Sequence, residues 1–174
     1  MIECYRIWFE HERDSNQKML EMIDSVPDGR RGDPKFSRAV DLAAHLAACR
    51  ENWLDRMQAS GDKQVNWWAE NVALETLRPR FTAIEKRWTD YLADLTDDDI
   101  KLDFEFPATD GYRYRWNVEG QIVQLVGHAF YHRGQIAQLV NELGGETVDT
   151  DYLFWAYQRN PRWGRIEPVP GTVA

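Results

Sequence analysis

The sequence is poor in cysteine, with Cys4 and Cys49 the only two among 174 residues. Two thiols cannot make the disulfide framework of a small secreted domain. A chain of this length buries roughly 70% of the surface its unfolded form exposes, so neither disulfides nor a structural metal are needed to hold a core. Long hydrophobic runs are also missing. No window of about 18 apolar residues exists, which excludes a membrane-spanning helix, and the opening Met1-Ile2-Glu3-Cys4-Tyr5-Arg6 lacks the basic and apolar regions of a secretory leader. The expectation is a soluble, cytoplasmic, reduced protein with no membrane partner. Basic charge is in deficit too, since 21 Lys and Arg face 29 Asp and Glu, for a formal net charge of -8. With no Lys/Arg cluster, the electrostatic footprint for a phosphate backbone is lacking, and nucleic acid is not an expected partner.

What is present is aromatic and helically periodic. A hydrophobic fraction of 43% and an aromatic fraction of 13% argue against disorder. Leu74, Leu77, Phe81, Ile84, Trp88, Tyr91 and Leu95 recur at three- and four-residue steps, predicting an inward-facing helix over 72–95 with Asn71 as its N-cap. Pro79 should kink that helix or move its regular part downstream. The same period runs over 36–58, through Phe36, Ala39, Ala43, Leu46, Trp53 and Met57, with a stop at Ser60-Gly61. It returns over 118–143, through Ile122, Leu125, Ala129, Ile136, Leu139 and Leu143, with a stop at Gly144-Gly145. A first helix over roughly 3–26 is apolar at both ends and polar from His11 to Asn16, a stretch that either lines a pocket or faces solvent.

Between the third and fourth helices the period changes to two. Leu102, Phe104 and Phe106, then Tyr112, Tyr114 and Trp116, flank Pro107-Ala108-Thr109-Asp110-Gly111, which reads as a β-hairpin. Residues 28–34 connect the first two helices, and a short helix is expected near 150–158. The expected fold is all-α: an up-and-down-type four-helix bundle with a small hairpin inserted before the last long helix. It forms one domain over 1–160, followed by a proline-containing tail over 161–174.

The candidate chemistry lies on the last long helix. His128 and His132 are four residues apart, so both project from one face, and that face is the inward arc shared with Leu125, Ile136, Gln121 and Gln135. Buried imidazoles without partners are costly, and a metal ion is one way to satisfy them. His45, among Ala43, Ala44, Ala47 and Ala48 on the second helix, can supply a third nitrogen. Three histidines would leave a coordination position for water or substrate. The alternative is an ordinary histidine pair with hydrogen-bond partners. His11 is a weaker fourth ligand, Cys49 is read chiefly as a core filler, and Asp41 is either an imidazole partner or a surface carboxylate. No glutamate stands at the spacing of a His-Glu-x-x-His protease helix.

His45 in Leu42-Ala43-Ala44-His45-Leu46-Ala47-Ala48, followed by Trp53-Leu54 and by Gly127-His128-Ala129-Phe130-Tyr131-His132-Arg133-Gly134-Gln135-Ile136, resembles the DinB/YfiT-like superfamily over about residues 5–158. The resemblance implies a bundle, usually a homodimer, with a divalent ion held by residues matching His45, His128 and His132. Imidazole ligation suits Zn, Ni, Cu or Fe, affinity order does not choose among them, and Zn or Ni is the expectation. Members of that superfamily include bacillithiol S-transferases and mycothiol-dependent maleylpyruvate isomerase, so the implied activity is S-transfer or hydrolysis of a small molecule. A low-molecular-weight thiol is a possible co-substrate, but fold membership does not fix the substrate. Tyr131 is a candidate general acid. Arg133, expected at the pocket rim, and Gln135, expected to face inward, are each candidates to orient a ligand or contact substrate. A non-catalytic metal- or ligand-binding, stress-associated role is the alternative.

Overall fold

Capping chemistry sets where the helices begin and end. The computed structural model describes residues 1–59, 65–108, 110–160 and 162–164. Its helices are α1 (Ile2–Asp24), α2 (Pro34–Met57), α3 (Leu77–Asp94), α4 (Val118–Glu142) and α5 (Tyr152–Arg159), with strands β1 (Asp103–Pro107) and β2 (Arg113–Asn117) ahead of α4. At the start of α2, the Asp33 carboxylate accepts the Lys35 N–H at 2.9 Å, and Pro34 fills the first helical position, where its missing N–H costs nothing. Asn117 caps α4 by accepting the Gly120 N–H at 2.6 Å, and Asp151 caps α5 through Leu153 at 2.7 Å. α4 ends in a Schellman turn: Gly144 adopts φ +79°, the Gly145 N–H reaches the Val140 carbonyl at 3.0 Å, and the Gly144 N–H reaches Asn141 at 3.0 Å.

The third helix starts later than its apolar period suggests. Pro79 lies in the first turn of α3, the only part of a helix that tolerates a missing N–H, so regular structure begins at Leu77 after a 3-10 turn over Leu74–Thr76. Asn71 is therefore not the N-cap. It stands at φ +55° in the preceding loop, where the Asn71 and Val72 N–H groups donate to the Asp41 carboxylate at 3.1 and 3.0 Å. Thr76 takes the cap position without a side-chain hydrogen bond. Ser60 and Gly61, proposed to stop α2, lie outside the described residues, as does the tail from 165 onward; α2 ends at Met57.

The four long helices form the expected bundle. α2 packs on α4 and α3, and α1 packs on the same two, so the first and second helices face each other across the centre. The core divides into two apolar halves. One gathers Met19, Ile23, Leu42, Leu77, Phe81 and Ile136, and the other gathers Phe9, Leu54, Ile84, Trp88, Ile122 and Leu125. Each fully buried Leu or Ile in these halves contributes about 1.5–3 kcal/mol. Between the halves lies a buried polar belt made by the middle of α1. His11, Glu12, Ser15 and Asn16 are all buried, which excludes a solvent-facing stretch.

The hairpin pairs antiparallel, with Phe104 opposite Trp116 and Phe106 opposite Tyr114. Phe104 and Phe106 are half-buried against Trp53 of α2, at ring-centroid distances of 6.4 and 4.9 Å. Leu102, by contrast, precedes β1 and is exposed. The Arg56 guanidinium lies over the rings of Trp53, Trp67 and Phe106 at 4.7, 4.9 and 4.8 Å, a cation stacked among three aromatic faces. This cluster ties the hairpin to α2 and to the Trp67-Trp68 segment, and that segment reaches the histidines.

Candidate metal centre

His45 enters from the middle of α2, where Ala43, Ala44, Ala47 and Ala48 are buried and let α4 approach closely. Its Nδ1–H donates to the Trp67 carbonyl at 2.7 Å. His132 of α4 is held in the same manner, its Nδ1–H donating to Gln135 Oε1 at 2.7 Å. Those two bonds fix the tautomers: in both rings the proton is on Nδ1 and Nε2 carries a bare lone pair. His128, one turn before His132, places its Nε2 between them, 3.2 Å from Nε2 of His45 and 3.1 Å from Nε2 of His132.

Three imidazole nitrogens thus converge, and neutral His128 can supply at most one proton to two facing lone pairs. Charging the rings does not resolve this. Burial lowers the pKa of all three, most strongly for His128, pushed down to about 4 by desolvation and then by its neighbours His132 and His45. A divalent cation does resolve it. With bonds of about 2.0–2.1 Å in a tetrahedral arrangement, neighbouring nitrogens lie roughly 3.3 Å apart, close to the separations here.

Cys49, one turn after His45, adds a sulfur to this centre. Its Sγ and the ring nitrogens of His45 and His128 lie within 4.8 Å of one another. Sγ is nearly equidistant from Nε2 and Nδ1 of His45, at 3.5 and 3.7 Å, so it faces the ring and stands off the Nε2 lone-pair axis. Desolvation pushes the thiol up to about 12, and without a cation beside it the sulfur stays protonated. Trp68 closes another side. Its ring stacks on the His45 ring at 3.5 Å with an interplanar angle of 9° and meets His132 edge-on at 6.1 Å.

A model of the DinB family matches residues 3–164. The chain belongs to the DinB family. No curated protein and no solved structure matches it. The family is metal-associated, and among the described residues the group that could hold a metal ion is His45, Cys49 and His128, with His132 a further neighbour of His128 at 3.1 Å.

The remaining candidates fall into two groups. Gln135 joins the centre as the partner of His132, and its amide donates to the Tyr131 hydroxyl at 3.3 Å, which places Tyr131, 65% exposed, at the outer edge. Arg133, Asp41 and His11 are elsewhere. Arg133 is 3% exposed, so it does not stand at the rim. Its long side chain runs inward to donate to Asn16 Oδ1 at 3.3 Å and lies 5.0 Å from the Phe130 ring. Asp41 braces the loop before α3. His11 Nε2 faces the Thr150 carbonyl at 3.0 Å and the Ser15 hydroxyl at 3.2 Å, so its ring is engaged away from the His45, His128 and His132 nitrogens. The Trp67 carbonyl and the Trp68 ring are the functional groups that periodicity alone missed. The adjacent tryptophans, too many aromatics for one small core, were the available signal.

The depressed histidine pKa values set a pH dependence for the metal-free protein. Between about pH 4 and 6.5 the unfolded chain binds more protons at His128 than the folded one, so folding stability rises with pH across that window. It is complete above 6.5 and is lost as pH falls toward 4, with His11, His45 and His132 acting in the same direction. Urea unfolding of chelator-treated protein is expected to show a midpoint that falls on acidification through this window, with a shallower fall in His128→Gln. Equal slopes in the two proteins would contradict the assignment to His128.

Proposed function

We propose that this DinB protein is a metal-dependent enzyme in which His45, His128 and His132 hold a divalent ion, Zn or Ni, beside a bound thiol or water that attacks a small molecule. The observation that carries this reading is the convergence of three Nε2 atoms whose Nδ1 protons are committed to Trp67 and Gln135. An ion held there would supply Lewis acidity, lowering the pKa of a water or thiol toward neutrality. The protein's own residues do the positioning. The Trp67 carbonyl and Gln135 orient the imidazoles with Nε2 bare, burial keeps the rings neutral, and Trp68 excludes water from one face of His45. Tyr131, at the outer edge beside Gln135, is the proposed general acid for a leaving group. Arg133 takes no part in this chemistry because it is buried against Asn16 and Phe130.

A second reading, a closed metal-binding site without turnover, is favoured by Cys49, whose sulfur lies within 4.8 Å of the His45 and His128 ring nitrogens and is a candidate fourth donor. Turnover separates the two. Nickel- or zinc-replete protein would be mixed with 2-mercaptoethanol and 1-chloro-2,4-dinitrobenzene. In that reaction the sulfur forms a bond to the ring carbon, chloride departs with its electron pair, and the thiol proton passes to buffer. Metal-dependent acceleration that disappears on chelation supports the enzyme. A metal-loaded protein that accelerates neither this reaction nor ester hydrolysis supports the closed site.

A further inference from the structure

A cavity of about 420 Å³ opens between the first turns of α2 and the loop that carries Trp68, whose ring stacks on His45. That is within the size range of small-molecule sites. Ser37, Arg38, Asp41, Trp68, Glu70 and Asn71 line it. Arg38 lies seven residues before His45, two helical turns along the same face of α2. Its guanidinium sits 6.0 Å from the Trp68 ring, whose other contacts are the His45 and His132 rings. Trp68 is therefore one wall shared by the cavity and the metal centre. The positive charge of Arg38 also reaches the centre, where it helps lower the pKa of both His45 and His132.

The charges around this cavity are unequally engaged. Asp41 accepts two backbone N–H groups, from Asn71 and Val72, which commits both of its oxygens. The other exposed arginines near by are paired: Arg30 with Asp33, Arg31 with Asp28, and Arg78 with Asp24. Arg38 has no carboxylate partner among the described residues, although Glu70 lines the same cavity. An unpaired guanidinium held over an indole presents its fork of N–H donors to an incoming anion.

We propose that Arg38 is the specificity residue of this site and anchors the carboxylate of a small anionic thiol whose sulfur reaches the histidine centre along Trp68. This rests on the metal-dependent reading above and names the class of molecule it takes. Glu70 on the same wall disfavours a dianion and leaves room for a cationic group on the ligand.

The test compares 3-mercaptopropionate with 2-mercaptoethanol, a neutral thiol of similar size, by titration calorimetry on full-length cobalt-loaded protein, with near-ultraviolet absorption followed in parallel. The parent is expected to bind the carboxylate-bearing thiol about tenfold more tightly. Arg38→Gln is expected to abolish that preference without weakening 2-mercaptoethanol, Arg38→Lys to keep part of it, and added salt to reduce it. The side chain is exposed, so circular dichroism should be unchanged. A preference of equal size in the parent and Arg38→Gln, or no binding of either thiol to the parent, overturns the anchor. A preference that depends on Arg38 but brings no sulfur-to-cobalt absorption supports the anchor and overturns the metal reading instead.

Discussion

Replacing His128 with alanine is expected to take metal-replete protein from about one ion per chain to nearly none, with helix content unchanged. The reason is geometric. His128 Nε2 is the common neighbour of the other two imidazoles, 3.2 Å from His45 and 3.1 Å from His132. Without it two nitrogens remain on facing helices, and nothing else among the described residues but Cys49 offers a donor within reach. Changing a group that only orients a ligand typically costs 10–100-fold in affinity, so loss of a ligand itself should cost at least about a hundredfold. Gln135→Leu, which removes the partner of His132 Nδ1, supplies the milder comparison. The helix should survive, because alanine has a higher helix propensity than histidine and the vacated position is only half-buried. Elemental analysis after gel filtration, with circular dichroism, decides the matter. Full stoichiometry in His128→Ala and His132→Ala alike would sink the three-histidine assignment. Loss in Cys49→Ser as severe as in His128→Ala would make the sulfur a ligand as well.

The bundle, the hairpin and the three histidines were legible because each is written in local periodicity or in a short motif. A stripe such as Ile122, Leu125, Ala129 and Ile136 carries its own direction, and two histidines four residues apart must share a face. What was not legible depends on partners distant in sequence. The middle of α1 reads equally as surface or interior until Glu12 is seen to meet Arg50, 38 residues away. Arg133 sits at an angle that a helical wheel places on the rim, yet its side chain is long enough to run back into the belt and meet Asn16. The Trp67 carbonyl has no sequence signature, since every residue carries one. Its position follows from the stacking of Arg56 on Trp53, Trp67 and Phe106, a contact among α2, a loop and a strand. Pro79 announced a boundary, but whether the helix would kink or start late depended on how residues 65–76 are braced by Asp41.

The buried belt carries the largest expected effect on stability. Glu12 and Arg50 form an ion pair in which both side chains are more than nine-tenths buried, and the Arg50 guanidinium lies 5.0 Å over Trp88 and 6.0 Å over Phe9. Glu12→Ala leaves that cation among aromatic rings without its directly bonded carboxylate, with Glu85, already bonded to Asn16, as a remaining acidic neighbour, and Arg133, also buried, loses a favourable neighbour. Breaking such a pair from one side typically costs about 3–5 kcal/mol. A domain of this size is stable by only about 5–15 kcal/mol, so Glu12→Ala should bring urea unfolding close to the onset of native conditions. Removing both charges should not. Glu12→Met combined with Arg50→Met replaces the pair with apolar volume and should recover most of the loss, since such replacements are often neutral or stabilising. The double variant also tells whether the belt serves the metal centre. Arg50 follows Cys49 directly, and its charge is one of the causes that lower His128. With stability restored and that cation gone, His128 should become more basic, and metal release on acidification should move to higher pH. A double variant as unstable as Glu12→Ala would mean that shape, and not charge compensation, holds the middle of the bundle together.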